Sequence, residues 1–174
     1  MEKINKKKGI VFWITGLSGS GKTSIAKKIK KPIELKYGKT VLFSGDDLRN
    51  ILNLKDYDKD KRLSYGKSYS KIVQNLSNQN VNVIIATVSL FRELHNWNRK
   101  NIENYCEIYI KTKITNIKNF KKKKLYHKNK TNLVGIDIIP EFPLKPDIKI
   151  LNYFNKSLEI LSKTILKKIY SKFS

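Results

Sequence analysis

Residues 16–23 read Gly16-Leu17-Ser18-Gly19-Ser20-Gly21-Lys22-Thr23 and fit the pattern G-x-x-x-x-G-K-[ST] at every fixed position. An apolar run over 10–14 precedes them, and apolar residues at helical spacing follow over 24–29. A strand, a glycine loop and a helix start form the context of a phosphate-binding loop, because glycines let successive backbone N–H groups curl around an anion. The helix N-terminus adds a partial positive charge. The sequence therefore predicts that these eight residues bind a nucleoside triphosphate.

Two residues of this loop have individual expected roles. Lys22 can reach the β and γ phosphates, and the Thr23 hydroxyl can ligate Mg²⁺. The alternative is an ordinary glycine turn, which the agreement between the loop and both of its flanks disfavours.

Composition favours a single domain over residues 1–174, because 174 residues with 40% apolar content suffice for one core. No apolar run approaches the ~20 residues that span a bilayer, so we expect no membrane segment. The sole cysteine, Cys106, lies in an apolar run and is expected in the core of a protein from a reducing compartment. His95 and His127 lack Cys or His neighbours at metal-ligand spacing. A cytoplasmic protein is the default expectation.

The formal net charge of +23 would attract any polyanion, so nucleic-acid binding competes with other functions. The alternative is a compositional bias, since lysine is abundant throughout the chain. A dedicated nucleic-acid surface usually mixes in arginine and exposed aromatic residues. Arginine occurs only at Arg49, Arg62, Arg92 and Arg99. In a lysine-rich chain, these positions are candidates for contacts that need a planar, forked guanidinium.

Short apolar runs alternate with helical patterns along the chain. We predict strands over 10–15, 40–43, 81–87, 105–110 and 148–151, and helices over 22–36, 59–78, 91–104, 114–124 and 156–170. This alternation predicts an α/β fold of three layers, with a five-stranded parallel sheet flanked by helices. Residues 125–147 lack periodicity and contain three prolines. A lid and substrate loop is expected over about 120–147.

Polar residues follow the second and third predicted strands, over 44–49 and 86–92. In open parallel sheets ligands bind beyond the carboxyl ends of the strands, so these segments should face each other beside the glycine loop. Asp46 and Asp47 supply carboxylates for Mg²⁺ or for accepting a proton from a substrate hydroxyl. Their alternative role is to cap a helix, and the two roles can coexist. Arg49 would bind an anionic substrate, unless it lies on a solvated helix face.

At these positions the chain resembles the adenylylsulfate kinase family of phosphate-loop kinases. Residues 12–23 are similar to the family's first strand and loop, and 44–49 to its Asp-Gly-Asp-Asn-x-Arg. Residues 88–92 are similar to Ile-Ser-Pro-Tyr-Arg, while 125–126, 135–136 and 141–143 resemble pieces of the lid. The resemblance covers residues 10 to about 150.

This resemblance implies transfer of the ATP γ-phosphate to the 3′-hydroxyl of a nucleotide's ribose. Asp46 would orient or deprotonate that hydroxyl and, with Thr23, ligate Mg²⁺, while Lys22 would stabilise the transferred group. The family places a base-stacking aromatic at Tyr57 and an anion-binding arginine at Arg62, and it implies a homodimer. The full set of predicted substrate-binding residues is Asp46, Arg49, Tyr57, Arg62, Tyr65, Val88, Ser89, Lys123 and Leu133.

The chain departs from the family pattern on the acceptor side. Ser44 replaces the first aspartate of the family's pair, which leaves the division of roles between Asp46 and Asp47 open. Stacking on an aromatic side chain is worth about 1–3 kcal/mol per base, so loss of one of two aromatic faces would weaken the binding of adenine. The other departures are Tyr65 for an asparagine, Leu90 for a proline, Leu133 for the second stacking aromatic, and 120–126 for Arg-Asp-Pro-Lys-Gly-Leu-Tyr.

The acceptor is therefore expected to differ from that of the main family. Residues 86–91 and 97–99 resemble a branch associated with surface-polysaccharide modification, whose acceptor is cytidine diphosphoramidate. A true adenylylsulfate kinase is the alternative. Kinases of a sugar or a polynucleotide end share the glycine loop, and a basic nucleic-acid-binding protein that uses ATP structurally is an alternative of another class. We expect a small nucleotide as the partner and no specific nucleic acid.

Overall fold

The computed structural model describes residues 8–121 and 132–173. In chain order these residues form β1 (Val11–Thr15), α1 (Lys22–Tyr37), β2 (Thr40–Ser44), α2 (Gly45–Ile51), α3 (Lys59–Asn78), β3 (Asn82–Ala86), α4 (Arg92–Asn101), β4 (Tyr105–Lys111), α5 (Ile114–Lys121), β5 (Ile148–Leu151) and α6 (Leu158–Lys172).

The strands form one parallel sheet in the order β2-β3-β1-β4-β5. The predicted five-stranded parallel sheet is thus confirmed. β1 lies at its centre and is buried along its whole length, which explains why its sequence is continuously apolar rather than alternating. A central first strand places the glycine loop at the middle of the carboxyl edge of the sheet.

Helices cover both faces of the sheet, as predicted. Alternate residues of β1 point to opposite faces, so Phe12 packs with α1 and α6, while Trp13 packs with α3 and α4. Cys106 is fully buried in the first of these cores, as expected for the sole cysteine.

One helix and several boundaries differ from the prediction. No helix was predicted over 45–51, where the structure has α2. This helix has seven residues and buries only Leu48, so its apolar signal is weak. Helix α4 ends at Asn101 rather than 104 because the chain turns into β4 at Tyr105. Helix α5 agrees with its prediction up to Lys121, and the predicted residues 122–124 lie outside the described residues.

The described part of the predicted lid, 132–147, packs against the glycine loop. Leu133, Val134 and Ile138 contact a cluster that contains Leu17 and Leu90. Glu141 accepts a hydrogen bond from the Arg92 backbone N–H at 2.7 Å, which ties the segment to the start of α4. The segment therefore closes one side of the sheet edge at which the glycine loop lies.

Across the two described stretches, no helix combines the length and the apolar character required to cross a membrane.

Candidate active site

The glycine loop joins β1 to α1 and has a backbone that requires glycine. Gly16 has a φ of +146°, and a Cβ there would lie 2.5 Å from the Ile110 carbonyl oxygen. Gly19 has a φ of +81°, and its Cβ would lie 2.8 Å from the Ile117 side chain. Larger residues would displace β4 or α5, so these glycines allow the loop to pack directly on the sheet.

Two contacts hold the loop in place. Lys22, which is 7% exposed, donates a hydrogen bond from its ammonium group to the Leu17 carbonyl at 2.8 Å. From the end of β5, the Asn152 side-chain amide donates to the Ser20 carbonyl at 3.0 Å. The Thr23 side chain, in contrast, is exposed at the start of α1. The loop is thus fixed from both sides and presents Thr23 outward.

Two adjoining clefts open at the carboxyl edge of the sheet. The smaller one has a volume of about 390 Å³ and follows the glycine loop, with Gly19, Gly21, Lys22 and Thr23 in its wall. The larger one has a volume of about 680 Å³ and lies between α2, α3 and residues 132–134. Both clefts are lined by Ser18, Gly45, Asp46, Thr87 and Val88. A group bound in one cleft would therefore meet a group bound in the other beside the Asp46 carboxylate.

Helix α2 gives its two aspartates different surroundings. Ser44 and Asp47 form a capping box, in which the Asp47 carboxylate accepts from the Ser44 backbone N–H at 2.8 Å. Hydrogen bonding from the side chain and then the backbone of Ser44 lowers the pKa of the Asp47 carboxyl. Asp46 makes no part of this box and lines both clefts. The capping alternative thus applies to Asp47, and Asp46 faces the cleft space.

Two arginines and an aromatic ring form one wall of the larger cleft. The Tyr57 ring lies 4.2 Å from the Arg49 guanidinium carbon and 5.1 Å from that of Arg62. Backbone carbonyls fix both guanidinium groups: Arg49 donates to Asp56 at 3.0 Å, and Arg62 donates to Tyr57 at 2.6 Å and to Asn132 at 3.0 Å. Tyr57, which is 49% exposed, thus presents an aromatic surface beside two guanidinium groups that hydrogen bonds keep in position.

This wall is electrostatically suited to an anion. Burial, and after it the positive charge of Arg49, lowers the pKa of the Arg62 guanidinium. A lowered pKa means that the surroundings of Arg62, including the charge of Arg49, disfavour the positive charge on its guanidinium. An anionic ligand beside the two guanidinium groups would remove this repulsion, and a forked guanidinium matches the oxygens of a phosphate group.

The segment after β3 forms the wall between the two clefts and is held by buried hydrogen bonds. The Thr87 and Ser89 hydroxyls lie 2.9 Å apart. The Ser89 carbonyl accepts a hydrogen bond from His95 Nε2 at 2.9 Å, and His95 Nδ1 lies 3.8 Å from Glu107 Oε1. The Thr15 hydroxyl donates to the Val88 carbonyl at 2.8 Å. β1, β4 and α4 therefore all position this segment.

The structure brings together most of the residues that the sequence predicted for the site. The smaller cleft is lined by Ser18, Gly19, Gly21, Lys22, Thr23 and Asp46. The larger cleft is lined by Asp46, Arg49, Tyr57, Arg62, Tyr65, Val88, Ser89 and Leu133. Gly16, Leu17 and Ser20 lie on the buried side of the loop, where Leu17 packs into a hydrophobic cluster. Lys123 lies outside the described residues.

Sequence reasoning did not identify several residues of the larger cleft. Each of them is a neighbour of a predicted residue, along the chain or one helical turn away, but their orientation toward the cleft depends on tertiary packing. They are Lys55, Asp56, Tyr69, Thr87, Phe91, Asn132 and Val134.

The smaller cleft offers oxygen ligands for a divalent cation. Thr23 and Asp46 both line it and are both exposed, and hydroxyl and carboxylate oxygens are the ligands that Mg²⁺ takes alongside phosphate groups. These two residues therefore fit the predicted Mg²⁺ ligands. Clusters of three or more Asp, Glu, His or Cys residues suited to a metal are absent from the described residues, so phosphate oxygens and waters would complete the coordination.

A glycine loop, a parallel sheet in this order and an exposed carboxylate beside the loop are typical of a phosphate-loop phosphotransferase, a class of enzyme that moves a phosphoryl group from a nucleotide to an acceptor hydroxyl. Within this class, the chain belongs to the adenylylsulphate kinase family, whose model matches residues 8–151.

Individual relatives agree with this assignment. The chain is 36% identical over 168 residues to the cytidine diphosphoramidate kinase of Campylobacter jejuni, with 94% of this chain and 98% of that protein covered. It is 30% identical to the adenylyl-sulfate kinase of Pseudomonas aeruginosa, over 84% of this chain and 79% of that protein. Its fold matches that of the APS kinase of Mycobacterium tuberculosis, solved with AMPPNP and APS, at a TM-score of 0.82 and 24% identity, over 94% and 98% of the two chains.

Proposed function

We propose that this kinase transfers the γ-phosphate of ATP to the ribose 3′-hydroxyl of cytidine diphosphoramidate. The observation that carries the reaction type is the position of Asp46, which lines both the cleft of the glycine loop and the cleft of the paired arginines. The choice of acceptor is supported by the similarity to the Campylobacter jejuni protein, which extends over nearly the full length of both chains.

ATP would bind with its phosphates in the smaller cleft. Backbone N–H groups of the glycine loop and the start of α1 would hold the phosphate oxygens, and Lys22 would move from the Leu17 carbonyl to the β and γ phosphates. Mg²⁺, held by Thr23 and Asp46, would offset negative charge on the phosphates.

The acceptor would bind in the larger cleft. Its base would stack on Tyr57, and its diphosphoramidate would be held by Arg49 and Arg62, with Tyr65, Val88, Ser89 and Leu133 completing the wall. Lys123 remains a predicted contact of the lid.

Asp46 would then orient the 3′-hydroxyl and accept its proton as the oxygen attacks the γ-phosphorus. The new bond joins O3′ to this phosphorus, the bond from the γ-phosphorus to the β,γ-bridging oxygen breaks, and ADP leaves with the bonding electrons. Since the two clefts meet at Asp46, no large movement of either nucleotide is required to bring the reacting atoms together.

The alternative acceptor is adenylylsulfate, the substrate named by the family model and by the Pseudomonas aeruginosa relative. Leu133 argues against it, because an aliphatic side chain occupies the place at which the family resemblance expects a second stacking ring.

We further propose a cytoplasmic homodimer that acts in surface-polysaccharide modification. The positive charge would steer polyanionic nucleotides toward the site rather than bind nucleic acid.

Steady-state kinetics with ATP and Mg²⁺ test this proposal. Cytidine diphosphoramidate should give a kcat/KM at least tenfold above that of adenylylsulfate, and the product should carry the new phosphate on O3′. Faster turnover of adenylylsulfate would contradict the acceptor. Tight, steeply salt-dependent binding to nucleic acid without turnover of any nucleotide would instead support the structural role of ATP.

A further inference from the structure

The larger cleft contains a carboxylate that the proposed reaction does not use. Asp56 lines this cleft together with Lys55, Arg49 and Arg62, three cations suited to the phosphates of a nucleotide. A carboxylate near a bound diphosphate is unfavourable on Coulombic grounds, since like charges repel. Its presence in the wall therefore calls for a ligand group that it can attract.

The contacts of Asp56 keep its carboxylate available to a ligand. Its Oδ2 accepts a hydrogen bond from the Tyr65 hydroxyl at 3.3 Å. Arg49 donates a hydrogen bond to the Asp56 backbone carbonyl at 3.0 Å rather than to the carboxylate. Within residues 8–121 and 132–173, the Asp56 carboxylate forms no salt bridge. The hydroxyl orients it, and no other residue in the described ranges donates a hydrogen bond to its remaining lone pairs.

An ionised carboxylate can only accept hydrogen bonds, so it recognises N–H or O–H groups. We propose that Asp56 selects an acceptor that bears an amino group, by accepting a hydrogen bond from that group. The inference rests on the proposed function, which supplies an acceptor with two such groups: the exocyclic amine of cytosine and the amide nitrogen on the terminal phosphorus. A sulfate has no N–H at the corresponding end.

Position favours the base amine as the group that Asp56 contacts. Asp56 directly precedes Tyr57, the proposed stacking platform, so both residues approach the same part of a bound nucleotide. Carboxylate side chains accept from the N4 amine of cytosine in nucleic-acid recognition, whereas uracil presents a carbonyl at that position. A carboxylate here would thus favour cytosine and disfavour uracil.

The test compares the wild-type chain with Asp56→Ala using ATP and Mg²⁺ and three acceptors. These are cytidine diphosphoramidate, uridine diphosphoramidate, which lacks the base amine, and CDP, which lacks the terminal amide nitrogen. A hydrogen bond to a charged group predicts that the wild type discriminates about 10- to 100-fold in kcat/KM against the analogue that lacks the contacted amine. Asp56→Ala should reduce this ratio to within about threefold, and the other ratio should stay unchanged.

Three further variants separate recognition from charge and from folding. Asp56→Asn keeps an acceptor oxygen and removes the charge, so it should retain part of the discrimination. Tyr65→Phe removes the orienting hydroxyl and should lower the discrimination without abolishing it. Asp60→Ala, an exposed position in the first turn of α3 outside the cleft, is the matched control and should leave all ratios at their wild-type values.

The outcomes distinguish this inference from the function on which it rests. If Asp56→Ala lowers kcat/KM equally for all three acceptors, or if the wild type accepts all three equally well, the inference is overturned while the kinase function stands. If the wild type phosphorylates none of them, the proposed function fails. Equilibrium binding of the same nucleotides by calorimetry then decides whether Asp56 selects an amino group, because binding discrimination does not require turnover.

Discussion

The Asp47 carboxylate accepts a hydrogen bond from the Ser44 backbone N–H at 2.8 Å, and the Ser44 hydroxyl accepts one from the Asp47 backbone N–H at 3.1 Å. This reciprocal pair uses Asp47 to begin α2 and leaves the neighbouring Asp46 facing both clefts. The two adjacent aspartates, which the sequence does not distinguish, therefore have different surroundings.

Asp46→Asn is predicted to abolish most phosphoryl transfer. In the proposed reaction the Asp46 carboxylate orients the hydroxyl and accepts its proton, and removal of such a group should lower kcat by about 10²- to 10⁴-fold. The measurement is single-turnover transfer from labelled ATP, with ATP affinity measured separately by calorimetry. ATP affinity in the absence of Mg²⁺ should change little, because Lys22 and the loop backbone remain.

Asp47→Ala is the matched control and should behave in the opposite way. Loss of a capping side chain costs about 0.5–2 kcal/mol of folding free energy, so the variant should unfold at lower urea concentration. Its kcat should stay within a few-fold of the wild type, provided that α2 remains folded. A loss of kcat as large as that of Asp46→Asn would move the catalytic role to Asp47.

Arg62→Lys is predicted to weaken acceptor binding although it keeps the charge. Arg62 uses its forked guanidinium to contact the Tyr57 and Asn132 carbonyls at once, and a lysine cannot make both contacts while also facing an anion. Hydrogen bonds of charged groups are worth about 1.5–3 kcal/mol, so KM for the acceptor should rise about 10-fold or more. Initial-rate kinetics at saturating ATP measure this change. An equal rise in KM for ATP would show that the variant disturbs both clefts.

The sheet could be predicted from the sequence, whereas much of the lining of the larger cleft could not. β1 is apolar from Val11 to Ile14 and β3 from Val83 to Ala86 because both faces of these strands are covered, and this pattern is readable without a structure. Asp56, in contrast, belongs to a loop that could place it in the cleft or in solvent. The Tyr65 hydroxyl, nine residues further along the chain in α3, donates a hydrogen bond to its carboxylate, and the sequence around Asp56 does not encode this contact.

The hydrogen bond that holds the Ser89 carbonyl was also not predictable from the sequence. His95 reads as an isolated histidine in the sequence, and its hydrogen bond to the Ser89 carbonyl depends on the packing of α4 against the end of β3. Helix α2 was missed for another reason. Gly45 and two aspartates are typical of a turn, and although Ser44 and Asp47 have the spacing of a capping box, a helix of seven residues that buries only Leu48 has too little apolar periodicity to be distinguished from one.

Leu133→Phe is predicted to strengthen nucleotide binding in the larger cleft. Leu133 lines the same cleft as Tyr57, and the variant would provide a second aromatic surface for the base. Stacking of about 1–3 kcal/mol predicts at least a fivefold fall in Kd for adenylylsulfate, measured by calorimetry. Leu133→Met is the matched control, since it adds a flexible apolar side chain without a ring. An unchanged Kd in Leu133→Phe would place the base away from Leu133.

Glu107 should make the stability of the protein depend on pH. The residue is 2% exposed, and burial raises the pKa of its carboxyl from 4.5 to about 7, against the opposing effect of Arg99. The native state thus retains a proton that the unfolded chain releases at lower pH. The resulting stabilisation is fully present below pH 4.5 and is lost as the pH rises through about 7. His95 has the opposite effect on the pH dependence of stability. Burial lowers its pKa below 6.5, so the native state disfavours protonation of the ring and the protein loses stability as the pH falls.

Urea unfolding of the wild type and of Glu107→Gln at pH 5, 6, 7 and 8 isolates this contribution. The free energy of unfolding of the wild type, minus that of the variant, should fall by about 2–3 kcal/mol between pH 5 and pH 8, since each unit of pKa shift corresponds to about 1.4 kcal/mol and this range covers most of the interval from 4.5 to about 7. Glu93→Gln is the matched control, because it makes the same substitution at an exposed position of α4. A difference for Glu107→Gln that does not change with pH would mean that the Glu107 carboxyl titrates like a solvated one, with water reaching it between β4 and α4.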